Sequence, residues 1–141
     1  METAEERPPN RLLLNFERLE RGAELGRATI AVGEDKLATW RALFPGGAES
    51  GAAVPPGLLA VLMMRAFGAE VSPRLPSYGV IGHDLRWGAQ KVERGETLFV
   101  TFHCLDKARR PEGCRVEIEA VMHTDAGTLV FEGEISLLRA A

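Results

Sequence analysis

Val54-Pro55-Pro56-Gly57-Leu58-Leu59-Ala60-Val61-Leu62-Met63-Met64-Arg65-Ala66-Phe67-Gly68 is the stretch that decides how this chain folds. Proline opens a helix well, because its missing N–H has no intrahelical partner to lose, and a glycine suits the closing turn. Between them nearly every side of the helix is apolar, with Arg65 the sole charge. A helix apolar all round belongs inside a domain. At ~1.5 Å per residue it runs roughly 18 Å, the depth of a small sheet.

Working outward, residues 1–11 read as a flexible tail of Glu, Arg and Pro, and 12–141 as one domain. Leu12 to Leu14 and Phe16 supply an apolar patch for the domain edge. Arg27 to Val32 alternates as a short strand. Gly33-Glu34-Asp35 then places acids at a helix start, where the dipole favours them. Leu37, Trp40 and Phe44 follow at helical spacing, and Pro45-Gly46-Gly47 ends that surface helix. Gly46 to Ala53 is almost free of side chains.

Beyond Gly68 the chain reads as β. Tyr78 to Gln90 holds one strand, and Arg94-Gly95-Glu96 turns the chain. Thr97 to Leu105 puts Leu98, Val100, Phe102 and Cys104 on one face, and Asp106 to Gly113 reads as a polar loop. Arg115 to His123 sends Val116, Ile118, Ala120 and Met122 inward and Arg115, Glu117 and Glu119 outward. Asp125-Ala126-Gly127 makes a tight turn before Thr128 to Leu138 runs back. This order is α+β. A single domain with a curved antiparallel β-sheet wrapped around a central apolar helix satisfies it, which is the hot-dog architecture. One sheet on one helix leaves a strand edge unpaired, so pairing with a second copy is expected.

The net charge of -3 and pI near 5.7 exclude a global basic field, so nucleic acid is not an expected partner. Arg109-Arg110 reads as a solvated turn rather than a phosphate contact. Leu58 to Met64 is too short to span a bilayer, which takes ~20 residues. Met1 to Arg11 lacks an apolar signal core, so a cytoplasmic location is expected. Cys104 and Cys114 flank a turn, where a disulfide across a hairpin is conceivable. In a reducing compartment the preferred reading is two buried thiols.

Several of these segments resemble the MaoC-like acyl-thioester hydratases and dehydratases over about Glu17 to Leu138. Arg21-Gly22-Ala23-Glu24-Leu25-Gly26 is similar to that family's entry to the first strand, and Pro55-Pro56-Gly57-Leu58-Leu59 to the start of its central helix. Gly82-His83-Asp84 and Val92-Glu93-Arg94-Gly95-Glu96-Thr97-Leu98 resemble its strand entry and turn. The resemblance implies an acyl thioester of coenzyme A or acyl carrier protein as ligand, with no cofactor and no metal. The acyl chain would lie beside the central helix at a dimer interface. The thioester carbonyl would accept from backbone N–H groups of Gly57 and Leu58, where orphan donors and the helix dipole favour negative charge. The plain alternative is that Pro-Pro-Gly merely begins a buried helix.

One departure matters. Active members of the family carry an Asp and a His just before this helix, whereas Leu43 to Val54 contains neither, and Glu49 is its only ionisable group. Addition or removal of water needs two groups in opposed protonation states over adjacent carbons. Leu43-Phe44-Pro45-Gly46 also resembles the His-Phe-Pro-Gly of the fatty-acid-synthesis dehydratases, with leucine in place of the histidine. The surviving catalytic candidates are His83, Asp84 and Glu49. His83 and Asp84 are strand neighbours that point to opposite faces unless the backbone bulges. Read plainly, His83 is a strand-entry histidine, and His103 and His123 are sheet-surface residues without zinc-ligand spacing.

Met63, Tyr78 and Trp87 are candidates for an acyl pocket, weighed against ordinary packing. Arg65 either snorkels, pairs with an acid or reaches a ligand. Three functions remain open: a divergent hydratase, dehydratase or isomerase-like lyase; a non-catalytic, pocket-forming subunit of a heteromeric hydratase or dehydratase; and a lipid- or acyl-binding protein. Under each of them a homodimer, or a heterodimer with another hot-dog chain, is expected.

Overall fold

The computed structural model describes residues 12–44, 53–88 and 91–141. Two helices, α1 (Glu34–Leu43) and α2 (Pro56–Glu70), accompany five strands: β1 (Glu24–Ala31), β2 (Gly79–Trp87), β3 (Thr97–Arg110), β4 (Gly113–Thr124) and β5 (Leu129–Ala140). The strands form one antiparallel sheet in the order β1-β3-β4-β5-β2. The alternation in the sequence sets its faces. Leu98, Val100, Phe102 and Cys104 of β3, and Val116, Ile118, Ala120 and Met122 of β4, lose all solvent contact on the side that receives α2. From α2 come Leu58, Leu59, Leu62, Met63 and Phe67, with Phe67 edge-on to Phe102 at 5.7 Å. This is the expected curved sheet around a helix, the hot-dog fold.

Three expectations change. First, α2 continues through Gly68 to Glu70 and ends at Val71, whose N–H bonds back to Phe67. Second, α2 is not enclosed: Gly57, Val61, Arg65 and Gly68 are exposed. A single sheet covers one side of a helix, so the apolar remainder faces outward. Third, Asp106 to Arg110 is strand, not loop, and only Pro111 and Glu112 turn. A bulge at Leu105 shifts the register there, so that Asp106 pairs with Glu117 and Arg109 with Cys114. That shift puts Lys107 on the helix side, where its ammonium caps the Phe16 and Glu17 carbonyls at 2.7 and 3.1 Å.

The bulge also settles the cysteines. Cys104 stands opposite Ile118 and Cys114 opposite Arg109, so they do not face each other, and both are free and buried. Burial pushes the Cys104 thiol up. The N-terminal patch divides: Phe16 enters the core while Leu12 and Leu13 stay exposed. Arg74 ties this segment down, donating to the Leu12 carbonyl at 2.9 Å and the Leu25 carbonyl at 2.7 Å from a buried position.

The other face of the sheet is polar. One row crosses all five strands as Glu24, His103, Glu119, Glu134 and Asp84. β2 closes one side of the sheet with most of its residues exposed, Val80 and Ile81 among them. Its far edge meets no other strand among the described residues. No helix in them is long and apolar enough to cross a membrane. The proposed tail, 1–11, lies outside the described residues.

Candidate functional site

The chain enters α2 through Val54, whose N–H bonds to the Val92 carbonyl at 2.7 Å, and through Pro55 in extended conformation. No side chain caps the helix. Pro56 has no N–H to offer. Leu58 and Leu59 both donate to the Pro55 carbonyl, at 3.1 and 3.3 Å. Gly57 alone keeps a first-turn N–H without an acceptor among the described residues, at an exposed position. The expectation of two donors is therefore corrected to one: the Leu58 amide is already spent in a tight first turn.

Gly57 is also where α1 packs onto α2. A β-carbon there would fall 2.8 Å from the Trp40 indole, too close for any side chain without displacement. Phe44 meets Trp40 at a tilt of 35° with ring centroids 4.4 Å apart, and is half exposed. Trp40 thus packs against the residue that carries the one free amide of the helix N-terminus. In the sequence Trp40 is only one of three residues, with Leu37 and Phe44, at helical spacing. Its meeting with Gly57 depends on a helix–helix contact that spacing does not encode.

The strand candidates are spread along β2. Val54–Val92 and Gly95–Val32 bonds place the start of α2 at the end of the sheet where β1 and β2 finish. The Gly26 backbone against Glu70 and Val71 places its end where they begin. Trp87 therefore belongs to the Gly57 end, packed edge-on against Phe131 at 5.1 Å and 44% exposed. Tyr78 belongs to the opposite end, about 22 Å away along a fifteen-residue helix. It cannot share a pocket mouth with Gly57. Met63 is wholly buried between α2 and the sheet and is core.

His83 and Asp84 are not brought together. His83 pairs with Ile135 on the α2 side and Asp84 with Glu134 on the polar side, and the bulge in β2 falls earlier, between Val80 and Gly82. Both are exposed. A shallow groove of about 210 Å³ lies at this edge, lined by Ile81, Gly82, His83, Asp84, Arg115, Glu134 and Ser136. Beneath it Glu117 accepts from Arg115 at 2.6 Å and from Ser136. Asp84, Glu134 and Ser136 are on the face away from α2, so this groove and the helix N-terminus are separate places. Glu49 lies outside the described residues. No group of His, Cys, Asp and Glu able to hold a metal occurs among the described residues.

Strand order, antiparallel register and the embraced helix define a hot-dog protein. No family model matches the sequence, and no curated protein matches it. Among solved structures, the fold is similar to the (R)-hydratase PhaJ1 of Pseudomonas aeruginosa at TM-score 0.72 and 20% identity, covering 89% of this chain and 84% of that one. A MaoC-like dehydratase of Rhodospirillum rubrum superposes at TM-score 0.73 and 17% identity, over 91% and 98%. A 3R-hydroxyacyl-ACP dehydratase complex of Mycobacterium tuberculosis, HadBC, gives TM-score 0.61 and 15% identity, over 84% and 96%. The chain thus has the hot-dog fold that MaoC-like dehydratases and (R)-hydratases also have.

Proposed function

We propose that this chain is a MaoC-like protein that binds an acyl thioester, of coenzyme A or acyl carrier protein, without performing hydration by itself. The observation that carries this reading is the start of α2. A lone free amide at Gly57, set in the positive end of a helix with the Trp40 indole packed against that residue, suits a thioester carbonyl. Trp87 at the same end suits an acyl chain. The surviving acid–base candidates, His83 and Asp84, diverge across the sheet, which supports binding without hydration.

A second reading, that the chain is the pocket-forming half of a two-subunit hydratase or dehydratase, is favoured by its open surfaces. The unpaired edge of β2 and the apolar outer side of α2 call for a partner of like architecture, a second copy or another hot-dog chain. The HadBC complex is a dehydratase built on this fold.

Crotonyl-CoA hydration and decanoyl-CoA binding, measured on the purified chain, test both readings. The expected result is saturable binding with negligible turnover, since each missing acid or base forfeits about 10²–10⁴ in rate. Turnover that appears only with a dyad-bearing partner supports the subunit reading. Robust turnover lost in His83→Ala or Asp84→Ala overturns both, and absence of binding removes the thioester.

A further inference from the structure

At the end of the sheet away from Gly57, one cross-strand row reads Arg109, Cys114, Arg139. Both guanidinium groups turn onto the same sulfur. Arg139 Nη2 approaches Cys114 Sγ at 3.2 Å and Arg109 Nη1 at 3.6 Å. Arg109 has a carboxylate in Glu17, but Arg139 meets none among the described residues and instead lies over the Tyr78 ring at 5.4 Å. The Tyr78 hydroxyl is shut off from solvent without a hydrogen-bond partner, the only such side-chain oxygen or nitrogen among the described residues. Donors therefore converge where acceptors are lacking: two cations meet on one weakly accepting sulfur, and the partnerless Tyr78 phenol lies beneath one of them, Arg139. A neutral thiol leaves that set unsatisfied. An oxygen on the sulfur would complete it.

We propose that Cys114 is an oxidisable thiol whose sulfenate is held by Arg139, Arg109 and Tyr78. A hydroperoxide supplies the oxidant. The sulfur attacks one peroxide oxygen, the S–O bond forms as the O–O bond breaks, and the thiol proton leaves with the departing oxygen as water or an alcohol. The sulfenic acid so formed passes its own proton to solvent to become the sulfenate. Sulfur loses two electrons and the peroxide gains them. The guanidinium groups stabilise charge as it moves onto the sulfur and its new oxygen. The chain has two cysteines, and Cys104 pairs four residues further along β4, opposite Ile118. No disulfide can therefore consume the sulfenate within one chain, and a free thiol from outside reverses it. The modification would fasten the ends of β4 and β5 to the turn that feeds β2.

The test treats the folded chain with sub-millimolar hydrogen peroxide and dimedone and follows both cysteines by peptide mass spectrometry. Cys104, fully buried, is the internal reference. Dimedone is expected on Cys114 at least about tenfold faster than on Cys104, and about tenfold slower in Arg139→Gln, with Arg139→Lys between. Without dimedone the intact mass gains one oxygen rather than losing two hydrogens. Tyr78→Phe, which keeps the ring, shortens the life of the sulfenate. Circular dichroism confirms that each variant is folded. Equal rates at the two cysteines, labelling only after unfolding, or an unchanged rate in Arg139→Gln overturns the proposal.

Discussion

Arg74 is the residue whose loss the fold should feel most directly. Its buried guanidinium serves two backbone carbonyls, Leu12 and Leu25, that belong to separate segments. Methionine keeps the stem but abandons both acceptors. Arg74→Met is expected to cost about 2–4 kcal/mol, read from the midpoint of urea denaturation at unchanged slope. Gly57 gives a second test at this scale. Its Cα faces the Trp40 ring, so even Gly57→Ala must displace α1, at about 1–3 kcal/mol, with a shift in Trp40 emission. If stability and emission both stay unchanged, the Trp40–Gly57 contact is not formed in solution. Neither role was legible in the sequence. The groups that Arg74 and Gly57 touch are distant along the chain.

Among elements, the strands were the most legible. The alternation of β3 and β4 assigned every inward residue from Leu98 to Cys104 and from Val116 to Met122, since a half-buried strand leaves no other arrangement. The bulge at Leu105 was not legible, because Asp106 to Arg110 is polar for a loop and equally polar for a strand running past the core. Neither the extension of α2 past Gly68 nor its open side is legible, as apolar composition does not say how many neighbours a helix will have. The site fared less well: the helix opening was found, its contact with Trp40 was not, and the divergence of His83 from Asp84 followed from strand geometry. The acidic row on the polar face yields a prediction of its own. Glu134 stands directly between Glu119 and Asp84, and none of the three has an ion pair among the described residues. Like charges in opposing positions are unfavourable. Glu134→Gln should therefore raise stability by about 0.2–1 kcal/mol at low salt and less at high salt. A loss of stability would mean that the row serves a purpose the isolated chain does not show.

For the whole molecule, stability should fall at both ends of the pH scale. The Arg27 guanidinium, bonded to both oxygens of Glu24, holds that carboxyl below the usual range, and Arg21 does the same for Asp106. Depressed carboxyls contribute stability that is present above their unfolded value, about 4, and lost as pH falls through the lower folded one. Burial raises the Cys104 thiol and the Tyr78 phenol instead. Their contribution is whole below the ordinary thiol and phenol range, about 8.5–10, and declines as pH climbs beyond it. Urea midpoints across pH should trace a plateau with two shoulders. Cys104→Val should soften the alkaline one, and Arg27→Ala the acid one.

The unpaired edge of β2 and the bare side of α2 bear on what a melting temperature of this protein means. If those surfaces are covered by association, unfolding releases chains as well as structure. The midpoint then obeys mass action and climbs with protein concentration. A series of melts over a hundredfold dilution should show that climb. A midpoint independent of dilution would mean that each chain stands alone, its edge held off from neighbours by the charges of Asp84 and Arg86.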